Sequence, residues 1–255
     1  MTRRPLAGRA ILVTRPVHQA DALARAIRAA GGEAVLFPAL AIEAVPAEQL
    51  NPMVAVAQAA EAVIFVSPNA ARFGLAALGG PPPAARVFAV GPGTARALAN
   101  AGVANVVVPD GQDSEALLAL PELAEVADRR VVIVRGVGGR PLIAETLATR
   151  GAQVGYLECY RRVRPQADAT ALLARWRAGG IDAVTVASAE TLANLAALLG
   201  DAGAPLLANT PLFAPHEKIA EAARRAGVVR AITTAGGDAG LVDGMIHVFN
   251  PQTSR

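Results

Sequence analysis

A single cysteine, Cys159, excludes an internal disulfide and fits a reducing compartment. Only three histidines are present, His18, His216 and His247, and they lie too far apart for a ligand motif, so no metal is expected. Aromatic residues make up 4% of a chain that is 53% hydrophobic, which leaves Ala, Val, Leu and Ile to build the cores. Lysine occurs once, at Lys218. The formal charge of +3 therefore rests on arginine, a pattern that coding bias explains as well as function does, and no nucleic-acid partner is expected. No stretch is expected to be long enough to span a membrane, and Arg15 interrupts the segment after Arg3, Arg4 and Arg9 where a signal peptide would need its apolar core. The expectation is a cytoplasmic, soluble monomer with no membrane partner.

What the chain does contain is one strand–turn–helix signal written twice. Val131-Val-Ile-Val134 runs into Arg135 and the turn Gly136-Val-Gly-Gly-Arg140, and residues 141–150 then read as an amphipathic helix. The earlier copy is Ile11-Leu-Val-Thr-Arg-Pro16. Arg15 and Arg135 stand 120 positions apart, and at that spacing Gly31 matches Gly151, Ile27 matches Leu147 and Leu12 matches Val132. Ala62-Val-Ile-Phe-Val-Ser67 matches Ala183-Val-Thr-Val-Ala-Ser188 at a spacing of 121, and Gly102 matches Gly227 at 125. Two long copies point to duplication of one half rather than to an array of small repeats.

A length of 255 residues makes two domains the natural expectation. Strands are expected at residues 10–13, 34–37, 62–66, 87–90, 106–108, 131–134, 153–156, 183–186, 212–214 and 229–233, with helices between most of them. Ser67 before Pro68, Asp113 and Ser188 read as helix N-caps. Two extended stretches, one between Pro38 and Pro46 and one from Leu157 to Pro165, carry no helical pattern. A chain that leaves one domain near Phe37 and returns near Arg164 forms a discontinuous domain, residues 1–37 plus 165–255. Residues 43–158 form an inserted one, and residues 38–42 and 159–164 are the linker strands. The expected fold class is α/β: two similar flavodoxin-like α/β/α domains with parallel sheets, joined by a two-stranded extended linker.

Six motifs follow one another along the chain: Ile11-Leu-Val-Thr-Arg-Pro16, Ile64-Phe-Val-Ser-Pro-Asn-Ala70, Ala89-Val-Gly-Pro-Gly-Thr-Ala95, Ser114-Glu-Ala-Leu-Leu118, Val134-Arg-Gly-Val-Gly-Gly-Arg140 and Glu158-Cys-Tyr-Arg-Arg162. In this order and spacing they resemble the uroporphyrinogen-III synthase family over nearly the whole chain. The resemblance implies a lyase of tetrapyrrole (haem) biosynthesis. Such an enzyme closes linear hydroxymethylbilane with loss of water and inversion of ring D, and uses neither cofactor nor metal. Its substrate carries eight carboxylates. A non-catalytic two-domain binder of a small polyanionic ligand is the alternative.

The loop Gly136–Arg140 also invites a nucleotide reading. It fails as G-x-G-x-x-G, because Pro141 stands where the third glycine is required, and it lacks the Lys-Ser/Thr ending of a P-loop. A carboxylate suits the same helix N-terminus, each contact worth ~0.3–1 kcal/mol when exposed. Helices that start after Arg15, Ser67, Gly91, Arg135 and Ser188 are thus candidate carboxylate sites, expected at one cleft. Asn69, Thr94, Gly136, Gly138 and His216 join them as substrate-binding candidates. Arg15 and Arg135 can equally serve as structural arginines that bond loop carbonyls, Ser67 and Ser188 as caps, and His216 as a cap or solvated side chain. Neither serine has a base beside it in sequence, which argues against nucleophilic catalysis. At the 125 spacing His216 replaces Gly91 and Ile219 replaces Thr94, where the family often has threonine. Tyr160 matches the tyrosine of the family's linker motif and is the catalytic candidate, as a hydrogen-bond donor to the departing hydroxyl. Packing of the linker is its other possible role.

Overall fold

The computed structural model describes residues 4–250. The chain begins with β1 (Ala10–Val13), α1 (Val17–Ala29) and β2 (Glu33–Leu36), followed by β3 (Ala41–Ala44) and α2 (Ala47–Gln58). It continues through β4 (Ala62–Phe65), α3 (Pro68–Leu78), β5 (Arg86–Ala89), α4 (Pro92–Asn100) and α5 (Ser114–Leu118). Next come β6 (Arg130–Gly136), α6 (Leu142–Thr149), β7 (Gln153–Val163) and α7 (Thr170–Arg177). The last elements are β8 (Ala183–Thr185), α8 (Ala189–Asn209), β9 (Leu212–Ala214), α9 (Glu217–Arg225), β10 (Ala231–Thr233) and α10 (Gly237–Phe249). Two compact units result: Met1–Ala41 with Val163–Arg255, and Ile42–Arg162.

The first unit holds a parallel sheet in the order β10-β9-β8-β1-β2. Counted within the unit, that is the doubly wound flavodoxin order. Every residue of β1 is buried, as a central strand covered on both faces requires. Leu12 joins a core with residues of α7, α8 and α9, while Ile11 and Val13 join another with residues of α1 and α10. This alternation is the period-2 signature of a sheet with helices on each side.

The second unit holds the sheet β3-β7-β6-β4-β5. Val63 and Phe65 point to a core shared with α2, α3 and α4, and Ala62 and Ile64 to one shared with α5 and α6. The pairing registers repeat those of the first unit. Ala10 faces Glu33 between β1 and β2, and Arg130 faces Gln153 between β6 and β7, each residue 120 positions from its counterpart. Ile11 faces Ala183, and correspondingly Val131 faces Ala62. Gly31 and Gly151 end matching helices at φ +90° and +87°, the left-handed region where a side chain is strained.

Three expectations need correction. Residues 106–108 do not form a strand; a single bridge, Phe88 to Val107, is all that remains at the position where the first unit pairs Phe213 with Ile232. Asn105, at φ +54°, and the residues after Pro109 turn the chain away too soon for a ladder. The fifth strand of the second sheet is instead β3, at the opposite edge, beside β7. There Val45 N–H donates to Cys159 O at 3.1 Å and Arg161 pairs with Glu43 at 3.4 Å. β7 also runs on to Val163, so residues 159–163 belong to a strand that already began at Gln153. Finally, among the described residues one helix, α8, is long and apolar enough to cross a membrane, where none was expected. Gly200, at φ 58° and ψ −167°, breaks it into two shorter helices, and Leu192, Leu195, Leu199 and Leu207 are buried in the core of the first unit.

Candidate active site

At the C-terminal end of β6 the pairing with β7 shifts. Arg135 faces Glu158, but Gly136 faces Tyr160, so the strand carries one extra residue, a bulge of the kind that re-aims side chains. Tyr160 is only 3% exposed. Its ring stacks on Phe73 at 5.7 Å between centroids, and its carbonyl accepts the Val137 N–H at 2.8 Å. Gly136 is what admits the ring: a Cβ there would lie 2.6 Å from Tyr160 Cε2. The phenol oxygen sits 3.1 Å from Ser67 Oγ, which also caps α3 by accepting the Ala70 N–H at 3.0 Å.

Arg135 is nine-tenths buried beside this pair. Its Nε donates to Gly136 O at 3.2 Å and its Nη1 to Arg140 O at 3.4 Å, while Cζ lies 4.8 Å from the centre of the Tyr156 ring. Gly138 and Gly139, at φ +76° and +110°, wrap the loop around the guanidinium, and Gly138 N–H donates to Glu158 at 3.1 Å. Arg140 reaches Glu115 at 2.6 Å and ties the loop to α5. α6 then starts without a side-chain cap hydrogen bond.

These residues enclose a pocket of about 220 Å³ within the second unit. Ser67, Ser114, Tyr156, Tyr160 and the loop from Gly136 to Arg140 line it, together with Arg135 and Arg162. Three lining residues are arginines and none is acidic.

Of the residues expected from sequence, this pocket brings together Ser67, Arg135, Gly136, Gly138 and Tyr160. Asn69 lies one residue further into α3, Gly91 is the N-cap residue of α4, and Thr94 is buried in the first turn of α4; none of the three lines the pocket. Arg15, Ser188 and His216 belong to the first unit. Arg15 forms an ion pair with Asp238 in the first turn of α10. Ser188 caps α8 through Thr191 N–H at 3.0 Å. His216 is exposed at the start of α9 and makes no side-chain cap, while Ile219 is buried in the core.

Sequence reasoning missed Phe73, Tyr156, Glu158 and Asp238. Phe73, Tyr156 and Asp238 carry no local signal, and Glu158, although it opens the motif that contains Tyr160, likewise acts on a partner from another element. Cys159, beside the catalytic candidate, is 1% exposed, and burial pushes its thiol up to about 12. It is a neutral packing group. Among the described residues no group of three or more His, Cys, Asp or Glu side chains is placed to hold a metal ion.

The two doubly wound sheets and the arginine-lined pocket define an α/β protein with its candidate site at the carboxyl ends of β4 and β6. Residues 21–239 match the family model described as uroporphyrinogen-III synthase HemD. The chain is 38% identical to the uroporphyrinogen-III synthase of Salmonella typhimurium over 193 residues, 72% of this chain and 78% of that one. It is 36% identical to the Escherichia coli enzyme over 197 residues, 74% and 79% of the two chains. Among solved structures, the Helicobacter pylori synthase superposes with a TM-score of 0.61 at 14% identity, covering 94% of this chain and 99% of that one. A mutant Thermus thermophilus synthase gives 0.60 at 22% identity, covering 97% and 100%. At these identities the structures speak for the α/β fold alone. The chain belongs to the uroporphyrinogen-III synthase family. With relatives that are synthases at 36–38% identity, the non-catalytic binder is left without support.

Proposed function

We propose that this chain is a hydro-lyase that closes hydroxymethylbilane to uroporphyrinogen III in haem biosynthesis. The observation that carries the reading is a buried tyrosine hydroxyl in a pocket whose only charged lining is arginine, on a chain of this family. The substrate's carboxylates suit Arg135, Arg140, Arg162 and the uncapped start of α6.

In the proposed reaction the bond between the terminal methylene and its hydroxyl breaks, and its electron pair leaves with the oxygen. The adjacent electron-rich pyrrole supplies electrons to the methylene and becomes an azafulvene. Tyr160 donates a hydrogen bond to the departing oxygen, which takes up a proton and leaves as water. The distal pyrrole attacks the methylene through its already substituted α carbon to give a spiro intermediate. The bond from that carbon to its original bridging methylene then breaks, and that methylene rejoins the ring at its free α carbon, which inverts the ring. The proton lost there on regaining aromaticity balances the one carried off by water. Unassisted closure joins the ring ends without inversion, so the protein's main contribution is control of substrate conformation. Incubation with enzymatically prepared hydroxymethylbilane, followed by chromatographic separation of isomers, tests the proposal. Accelerated formation of the type III isomer is expected; type I alone, at the spontaneous rate, overturns it.

We also infer that the two units descend from one duplicated half. The shared registers of β1 with β2 and β6 with β7, 120 positions apart, support this. So does the match of β1 with β8 to β6 with β4, which leaves each unit built from the front of one copy and the back of the other.

A further inference from the structure

We propose that Ser67 is a positioning residue: it donates its hydroxyl hydrogen to Tyr160 Oη and leaves the phenol's own hydrogen free for the departing hydroxyl. The inference rests on the reading of Tyr160 given above.

By distance alone, either oxygen of the pair can donate across the 3.1 Å. We take Ser67 as the donor, because only that polarity leaves the phenol hydrogen for a ligand in the pocket. A serine hydroxyl has one hydrogen and two lone pairs. Ser67 Oγ accepts the Ala70 N–H at 3.0 Å with one lone pair, and its own hydrogen can reach a second acceptor. Tyr160 Oη supplies that acceptor. The phenol then accepts from Ser67 and donates into the pocket that both residues line. The reverse polarity would turn the phenol hydrogen toward Ser67 and away from any substrate. The chosen chain, Ala70 N–H to Ser67 O–H to Tyr160 O–H, starts at the positive end of α3. Each donation polarises the next, which makes the terminal phenol a stronger donor.

The matching serine provides a contrast inside the same chain. Ser188, 121 positions on, caps α8 in the same way, with Thr191 N–H at 3.0 Å. Its second partner, however, is Thr191 Oγ1 at 2.9 Å, within its own first helical turn. Ser67 has Ala70 where Ser188 has Thr191, so no local hydroxyl competes and its second bond crosses to β7. Phe73 on one side and Gly136 on the other leave the phenol ring little freedom to seek another partner.

A double-mutant cycle tests this, with kcat and KM measured on enzymatically prepared hydroxymethylbilane. Ser67→Ala is expected to lower kcat about tenfold, the loss of ~1.4 kcal/mol in the transition state, with KM within about twofold. Ser67→Gly, which costs the helix cap only a few tenths of a kcal/mol, is expected to show the same loss in a stably folded protein. Ser67→Thr keeps both bonds and is expected to retain most of the turnover. In the Tyr160→Phe background, Ser67→Ala is expected to cause no further fall, because the hydroxyl it acts through is gone. Equal losses in both backgrounds, or no loss with Tyr160 present, overturn the proposal. A wild-type chain that forms no type III isomer removes the proposed function and this inference together; an active wild type with additive losses removes the inference alone.

Discussion

Arg15 and Arg135 stand 120 positions apart at the carboxyl ends of matching strands, yet they are held by opposite kinds of partner. Arg15 is neutralised by the carboxylate of Asp238, whereas Arg135 bonds two carbonyl oxygens and rests on the Tyr156 ring. Its closest carboxylate, on Glu158, stays 3.9 Å away. The strand and its arginine recur, but the partners come from elements with different sequences. Of the two, Arg135 keeps more of its charge available to a ligand.

Replacement of Arg135 by lysine keeps the charge but loses the planar fork that spans the loop carbonyls. We expect a loss of about 1–2 kcal/mol in stability, from the carbonyl bonds and the aromatic contact together. KM is expected to rise more than kcat falls. Thermal melting and steady-state kinetics check both; an unchanged KM would make Arg135 a loop support only.

Tyr160→Phe removes one oxygen and leaves the ring between Phe73 and Gly136 undisturbed. Turnover should fall about 10²-fold or more, the usual scale for a positioned donor, while substrate binding changes little. A rate equal to that of the wild type would take Tyr160 out of the mechanism.

Gly136→Ala places a methyl group 2.6 Å from Tyr160 Cε2, well inside contact distance. The ring must move, and with it the hydroxyl that faces Ser67. Overpacking of this kind costs about 1–3 kcal/mol. We expect the variant to fold, with a lower melting temperature and a kcat as depressed as that of Tyr160→Phe. Normal turnover in Gly136→Ala would show that the phenol's placement is not critical.

Cys159 should resist thiol reagents at pH 8 in the folded protein and react fully once the chain is denatured. Burial pushes the folded thiol up to about 12, above its ordinary value of 9.0. As pH rises through the window between those values the unfolded chain gives up this proton and the folded chain keeps it. The thiol therefore contributes a loss of stability with rising pH in that window, and none below it. Rapid labelling of native protein at pH 8 would contradict the burial of this strand.

Trp176, the only tryptophan, is buried in the first unit and donates its Nε1–H to Thr210 Oγ1 at 2.9 Å, which in turn donates to Leu206 O at 2.8 Å. Trp176→Phe removes the first bond and part of the ring, and is expected to cost about 2–3 kcal/mol in denaturant unfolding followed by circular dichroism. A midpoint within error of the wild type would refute that estimate.

Much of the secondary structure can be read from the sequence because its causes are local. Serine, aspartate and glycine at helix ends act on groups three or four residues away, and the caps at Ser67, Asp113 and Ser188 form as their sequences imply. The buried strands follow from unbroken runs such as Ala62–Phe65, and the repeat from simple alignment of the two halves. The local pattern misleads at residues 106–108, where three valines suit a strand but the following turn allows a single bridge.

The candidate site itself was decided in tertiary structure. Ser67 and Tyr160 are 93 positions apart, Arg15 and Asp238 are 223 apart, and no periodicity links either pair. A one-residue shift between β6 and β7 determines that Tyr160, rather than Cys159, lies opposite Gly136. Local pattern assigns a residue to a strand. Only the register of that strand against its neighbour, a sum of packing interactions over the whole sheet, determines what its side chain can reach.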